Sequence, residues 1–332
     1  MSRHKITNQP RFDFRDAAFE ALDDFPQLRA RTTFFLDQQN PDGQALKAYG
    51  DPKAVTAQLG NAFWRKQIQG FLAYMRENKT SVACFIHGQP HQAIIFTPHS
   101  VLAPVHHDRA AMLFFEFDHE LGHLLTNKGR NITPHGTTTE AENSAEAFAT
   151  LRSIQRFGHA RAHLDALSRW RARGLITQEI KTHITSPVID AIIADSARVD
   201  FTKLTPQETI AAANEYTTRY CPKGPDVDFA VTQMRAARDF MTDGAHQQRL
   251  AKILLATTNP FMFGVGSRAL VPVLASDINA KLPKDLRNSL ILKLQARAQK
   301  LGFDNTLSLL CASSGIPAAK SGKKHIARRI AA

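Results

Sequence analysis

Phe114-Phe115-Glu116-Phe117-Asp118-His119-Glu120-Leu121-Gly122-His123-Leu124-Leu125 sets a His-Glu-x-x-His motif inside an apolar run of helical character. At about 3.6 residues per turn, His119 and His123 lie one turn apart on one face, so two imidazoles can reach one ion. Glu120 stands about 100° round from His119, beside such an ion and not on it, where a general base takes a proton from a metal-activated water. Met112, Leu113, Phe114, Phe115, Phe117, Leu121, Leu124 and Leu125 make the helix apolar nearly all round, the pattern of a buried element. Two imidazoles and a carboxylate on a buried helix are costly unless an ion or a partner pairs with them. Gly122 costs about 1 kcal/mol against Ala within a helix, which predicts that another group approaches its backbone closely.

A catalytic zinc takes three protein ligands and keeps one position open. The candidates for the third are Glu140, Glu142, Glu146 and His135. Glu142 fits best because Glu142 and Glu146 are one helical turn apart: one can bind the metal while the other accepts a hydrogen bond from a liganding imidazole. The opposite face, Ala141, Ala145, Phe148 and Leu151, alternates small and large residues as a closely packed helix does. A capping box competes for these carboxylates, pairing Thr139 with Glu142 or Thr137 with Glu140. With Thr137 as the cap, Glu142 is free for the metal.

The pattern His119-Glu120-x-x-His123, then 18 residues, then Glu142 with Glu146 four further on, resembles the gluzincin branch of zinc metallopeptidases. The finer sequence His-Glu-Leu-Gly-His followed by Glu142-x-x-Ala145-x-x-Phe148-Ala149 is similar to the ImmA/IrrE-type metallopeptidases, which usually carry Asn or Asp where this chain has Glu146. The likeness covers residues 81–158, under a third of the chain. It implies a zincin-like core, one zinc held by His119, His123 and Glu142, and hydrolysis of a peptide bond. Glu120 would be the base and then pass its proton to the leaving amine. Tyr216, Tyr220, His135 and His183 are the candidates for the donor that a tetrahedral oxyanion needs. The substrate backbone is expected at a sheet edge near Ile94-Ile95-Phe96.

The wider composition fits this reading. A hydrophobic content of 43% and a charged content of 22% over 332 residues describe an ordinary globular chain with ample core. Five of the ten glutamates fall within 116–146 and eight of the fourteen histidines within 87–135, a clustering that a bound cation explains. The first residues lack the apolar run of a secretory signal, and no stretch approaches about 18 consecutive apolar residues. Cys84, Cys221 and Cys311 form no Cys-x-x-Cys pair and read as free thiols, so a reducing cytoplasm is expected. The net charge of +12 is partly gathered in the tail, where Lys320, Lys323, Lys324, Arg328 and Arg329 follow Gly315-Ile316-Pro317. That tail is similar to the second half of a SAP-type nucleic-acid-binding module and would bind phosphates weakly; its other reading is a solvated basic end.

Along the chain, helical spacing over 12–22 and 54–74 predicts a helical N-terminal region, 1–79, with a loop between about 40 and 52. Short β-type runs at 82–87 and 92–97 predict a hairpin beside the His119 helix. The metallopeptidase core is expected over 80–200. Helices are predicted at 164–173, 177–185, 188–196, 206–220, 228–241, 245–256 and 286–301, with a break at Gly174, giving a helical C-terminal region with a basic tail over 201–332. The fold class is α+β, predominantly α-helical, with a small sheet packed beside the His-Glu-x-x-His helix.

Overall fold

A computed structural model describes residues 11–38, 46–85, 89–127, 129, 132–133, 136–158 and 161–303. It is mostly helical with a small mixed sheet. The chain divides into two compact units, Met1–Arg171 with Ile180–Lys223, and Ala172–Glu179 with Gly224–Ala332. The elements run α1 (Phe14–Asp24), β1 (Thr32–Asp37), β2 (Leu46–Gly50), α2 (Pro52–Gly60), α3 (Ala62–Asn78), β3 (Val82–Phe85), β4 (Gln92–Phe96), α4 (Arg109–Leu125), β5 (Ile132–Thr133), β6 (Gly136–Thr137), α5 (Thr139–Phe157), α6 (Ala162–Gln178), α7 (Ser186–Asp195), α8 (Pro206–Tyr220), α9 (Gly224–Met234), α10 (Gly244–Ala256), α11 (Pro260–Ala275) and α12 (Lys284–Lys300).

The main sheet has the order β2-β1-β4-β3, with β1 and β4 parallel and both outer pairs antiparallel. The N-terminal region is therefore not a purely helical layer: it supplies β1 and β2, and residues 46–50 form a strand where a loop is expected. Thr32-Thr33-Phe34-Phe35-Leu36 is a continuous β-branched and aromatic run, as suits a strand buried on both faces. The period of two is visible in where its neighbours go. Phe34, Ala83, Ile94 and Phe96 face one core cluster, with α1, α4 and α5. Phe35, Cys84, Ala93 and Ile95 face a second cluster with Trp64, Ile68 and Met75 of α3. The expected long helix over 54–74 is two helices, because Asn61 ends α2 and its side chain caps α3 by accepting from the Phe63 and Trp64 amides.

Phe117 fixes α4 on the sheet. Its ring, fully buried, meets Phe14 at 5.7 Å, Phe34 at 5.8 Å and Phe96 at 6.3 Å between centroids. Burying such a side chain contributes about 1.5–3 kcal/mol. A second anchor is ionic. The buried Asp118 carboxylate accepts from Arg156 Nε at 3.2 Å, Arg156 reaches Glu20 at 2.7 Å, and Arg152 reaches Glu20 at 2.8 Å and Asp24 at 2.7 Å, so α1, α4 and α5 are tied together. Burial disfavours the Arg156 charge, but Asp118 and Glu20 outweigh it and push its pKa up.

Helical expectations after α5 mostly hold their place, with four differences; the first is that the helix expected over 228–241 starts at Gly224 and ends at Met234, where the chain tightens into a 3-10 turn, Arg235–Ala237. Gly174 lies inside α6 and breaks nothing. Residues 179–185 are not helical: Glu179 takes φ +55°, in the left-handed region, and the chain turns before α7. Residues 260–275, not assigned from the pattern, form α11, with Pro260 at its first turn and Asn259 as its cap. In the second unit α11 packs with α9, α10 and α12, and Phe240, Leu250, Leu254, Phe263, Leu270 and Leu294 are buried there. Among the described residues no helix is long and apolar enough to cross a membrane. Cys84 is buried and Cys221 half-buried, both as free thiols, whereas Cys311 and the basic tail lie outside the described residues.

Candidate metal centre

The centre is built from two helices pressed together at a glycine. A Cβ on Gly122 would lie 2.8 Å from Ala145 Cα and 2.9 Å from Ala145 O, so only glycine admits so close a crossing of α4 and α5. That crossing brings His119 and His123 on α4 against Glu142 on α5. His119 Nε2 and His123 Nε2 are 3.2 Å apart, His119 Nε2 is 3.3 Å from Glu142 Oε2, and His123 Nε2 is 3.7 Å from Glu142 Oε1. All three residues are buried. Among the described residues this is the one group of three His, Cys, Asp or Glu side chains close enough to share an ion. Donors about 2.0–2.1 Å from a tetrahedral ion stand roughly 3.3 Å from one another, and the observed spacings bracket that figure.

The α5 terminus leaves Glu142 available. Neither expected capping box forms; Thr138 is the cap, its hydroxyl accepting from the Ala141 amide at 3.1 Å. The third helical position is then Ala141, so no carboxylate is spent on the helix end, and Glu140 sits exposed on the first turn. Removing that cap should loosen the turn that carries Glu142: Thr138→Ala is expected to lower unfolding free energy by about 1 kcal/mol in urea titrations. A loss below a few tenths of a kcal/mol would mean the cap does not hold the turn.

Of the two imidazoles, His123 is fixed at Nδ1 by a hydrogen bond and His119 is not. His123 Nδ1 is 2.9 Å from the backbone oxygen of Gly129 and donates to it, which leaves the Nε2 lone pair free to meet a cation. Gly129 can approach because it has no Cβ; one would meet Gly122 O, His123 Cα and Thr126 Oγ1, each at 2.7 Å. Glu146 was expected to accept from the other imidazole. Its Oε2 is 3.6 Å from His119 Nδ1, beyond a hydrogen bond, and its carboxylate is instead held by Arg171 through two bonds of 2.8 and 3.1 Å. His119 Nδ1 and Glu142 Oε2 are both buried without a hydrogen-bond partner.

The local field favours a cation. Burial works against a proton on His119, but Glu142, Glu146 and Glu120 outweigh it and raise its pKa to about 9. Burial lowers His123 to about 4, against the pull of Glu142. Glu142 is held well below the usual carboxylate range, its burial overcome by His183, His119 and His123. Glu120 is raised to about 7, first by burial and further by Glu142 and Glu116, against the pull of His119.

Glu120 lies near β3, where its charge bears on Cys84, and the expected docking edge is corrected: β4, with Ile94, Ile95 and Phe96, is bonded on both sides, so the edge strand next to α4 is β3. Glu116, one turn before Glu120, accepts from the Ser81 amide at 3.0 Å and pins the start of β3 to the helix.

Of the four oxyanion candidates, Tyr216 donates to Asp195 at 2.7 Å, Tyr220 stacks on Tyr216 at the surface, and His135 lies outside the described residues. His183 alone touches the centre, with Nε2 3.3 Å from Glu142 Oε2. Arg171 and the Gly129 carbonyl were not singled out from the sequence. Arg171 is 25 residues from its partner, and a backbone acceptor leaves no side-chain signal. Comparison with protein-family models, with curated proteins and with solved structures finds no match for this chain.

Proposed function

We propose that this chain is a zinc-dependent peptidase of gluzincin type with a zincin-like core, in which His119, His123 and Glu142 hold the ion and Glu120 is the general base. The observation that carries the reading is the convergence of two Nε2 atoms and one buried carboxylate at 3.2–3.7 Å, with Glu120 on the same helix beside them. Glu142 Oε2, buried without a hydrogen bond, fits a donor set whose electrons are directed at a cation. When bound, zinc supplies Lewis acidity and brings a water's pKa to about 7.

The chain's own residues do the rest. Glu120 takes the proton from the attacking water and returns it to the leaving nitrogen. An extended substrate lies alongside β3 and pairs with its outer backbone groups, which would place a scissile carbonyl near the base. Gly129 keeps the His123 ring from turning, and Arg171 holds the Glu146 carboxylate through two hydrogen bonds.

Metal removal tests the reading. Zinc-loaded protein should release new α-amino groups from a denatured polypeptide, chelator-stripped protein should release none, and one equivalent of zinc per chain should restore the rate. Activity that survives stripping, or zinc-loaded protein that cuts nothing, would count against it.

A further inference from the structure

His183 lies in the non-helical segment between α6 and α7, 41 residues from Glu142, yet its Nε2 stands 3.3 Å from Glu142 Oε2. Two features hold it there. Asn143, buried and adjacent to Glu142 on α5, donates through Nδ2 to Ile184 O at 3.2 Å and to Thr139 O at 2.8 Å, so the segment is fastened to the turn that carries the ligand. Thr182 Oγ1 lies 2.9 Å from His183 Nδ1. The contact is an ion-pair distance and not a hydrogen bond, and since a carboxylate oxygen presents only lone pairs, the nitrogen nearest it is the one that carries the hydrogen. The neutral ring then has an acceptor at Nδ1, and the Thr182 hydroxyl donates to it.

The arrangement leaves His183 outside the group of three that can share an ion, but against the oxygen of its only carboxylate member. The geometry points to His183 as the positioning residue for Glu142: the imidazole, fixed by Thr182 and by the Asn143 clasp on Ile184, holds the carboxylate against His119 and His123, the donors that would share an ion with it. This rests on the metal centre proposed above and adds to it a residue from a third segment. It also gives Asn143 a reason to be buried, since its amide couples the loop to the ligand's own helix.

The effect belongs to metal affinity rather than to turnover, because residues that orient ligands typically change affinity about 10–100-fold when removed. The experiment is zinc binding to the full chain in competition with a chromophoric chelator, for wild type, His183→Ala and His183→Gln. His183→Ala should bind zinc about 10–100-fold more weakly, with the metal-free protein melting at the wild-type temperature. His183→Gln, which keeps an N–H donor of similar reach, should recover part of the loss. Wild-type affinity in His183→Ala overturns the proposal, as does a fall in turnover with affinity unchanged, which would assign His183 to the substrate. Wild-type protein that binds zinc but cuts no peptide sinks the peptidase reading and leaves this one standing. Wild-type protein that binds no zinc sinks both.

Discussion

Glu120→Gln should keep about one zinc per chain and lose peptide hydrolysis by about 10²–10⁴-fold, the usual contribution of a positioned general base. The substitution is close to isosteric, so neither fold nor edge strand is disturbed. What changes is the ability to accept a proton. His119→Ala is the companion: it removes one of the converging donors and should lose the ion and the activity together. The two variants separate catalysis from metal binding, measured as zinc content by atomic absorption beside the release of α-amino groups. If Glu120→Gln cut peptide at the wild-type rate, the water would be activated elsewhere and the assigned base would be wrong. If it lost zinc, Glu120 would belong to the ligand set, which its place beside the two rings does not suggest.

What the sequence makes legible is the pair of helices. On α4 a long apolar run carries two histidines at a spacing that the helical period converts into one face, and Gly122 stands out because a helix interior has no use for it unless something comes close. On α5 the small residues Ala141 and Ala145 mark the surface that comes close. Local rules therefore reach as far as the three donors.

They fail where structure is made by distant segments. Thr32–Asp37 is a strand because β2 and β4 flank it, and its sequence, two Thr then Phe-Phe-Leu, has no alternation from which a sheet face can be read. The split of α2 from α3 turns on one side chain, Asn61, inside an otherwise continuous amphipathic pattern. The turn at 179–185, read as helix, is held open by Asn143, a residue about 40 positions earlier. Glu146 shows the same limit at the site, since its spacing from Glu142 is right for an imidazole partner and its charge goes to Arg171 of α6. Spacing along one helix selects the candidates, and the rest of the fold decides which bond each makes.

Gly122→Ala should destabilise the protein and weaken zinc binding, although the same change in most helices stabilises. Two effects of opposite sign compete. Replacing glycine in a helix interior gains about 0.5–1 kcal/mol from a less flexible unfolded chain. Against that, the new methyl would meet Ala145 Cα at 2.8 Å and Ala145 O at 2.9 Å. Both are backbone atoms of a helix and cannot step aside as a side-chain tip can, so α4 and α5 must part, at the cost of about 1–3 kcal/mol typical of an overpacked interior. Phe148 Cβ, at 3.2 Å, adds to the crowding. The net change should therefore be destabilising, by up to about 2 kcal/mol, with Val at the same position worse. Because Glu142 lies one turn before Ala145, the separation also pulls the carboxylate from the imidazoles, and zinc affinity should fall with stability. Gly70 of α3 is the control: a Cβ there meets nothing within 4 Å, so Gly70→Ala should gain the propensity term of about 0.5–1 kcal/mol and leave zinc binding alone. Urea unfolding and chelator competition on the two variants read both quantities. A Gly122→Ala protein as stable as Gly70→Ala, with undiminished affinity, would mean that the helices do not cross at this glycine, and the convergence of His119, His123 and Glu142 would lose its structural cause.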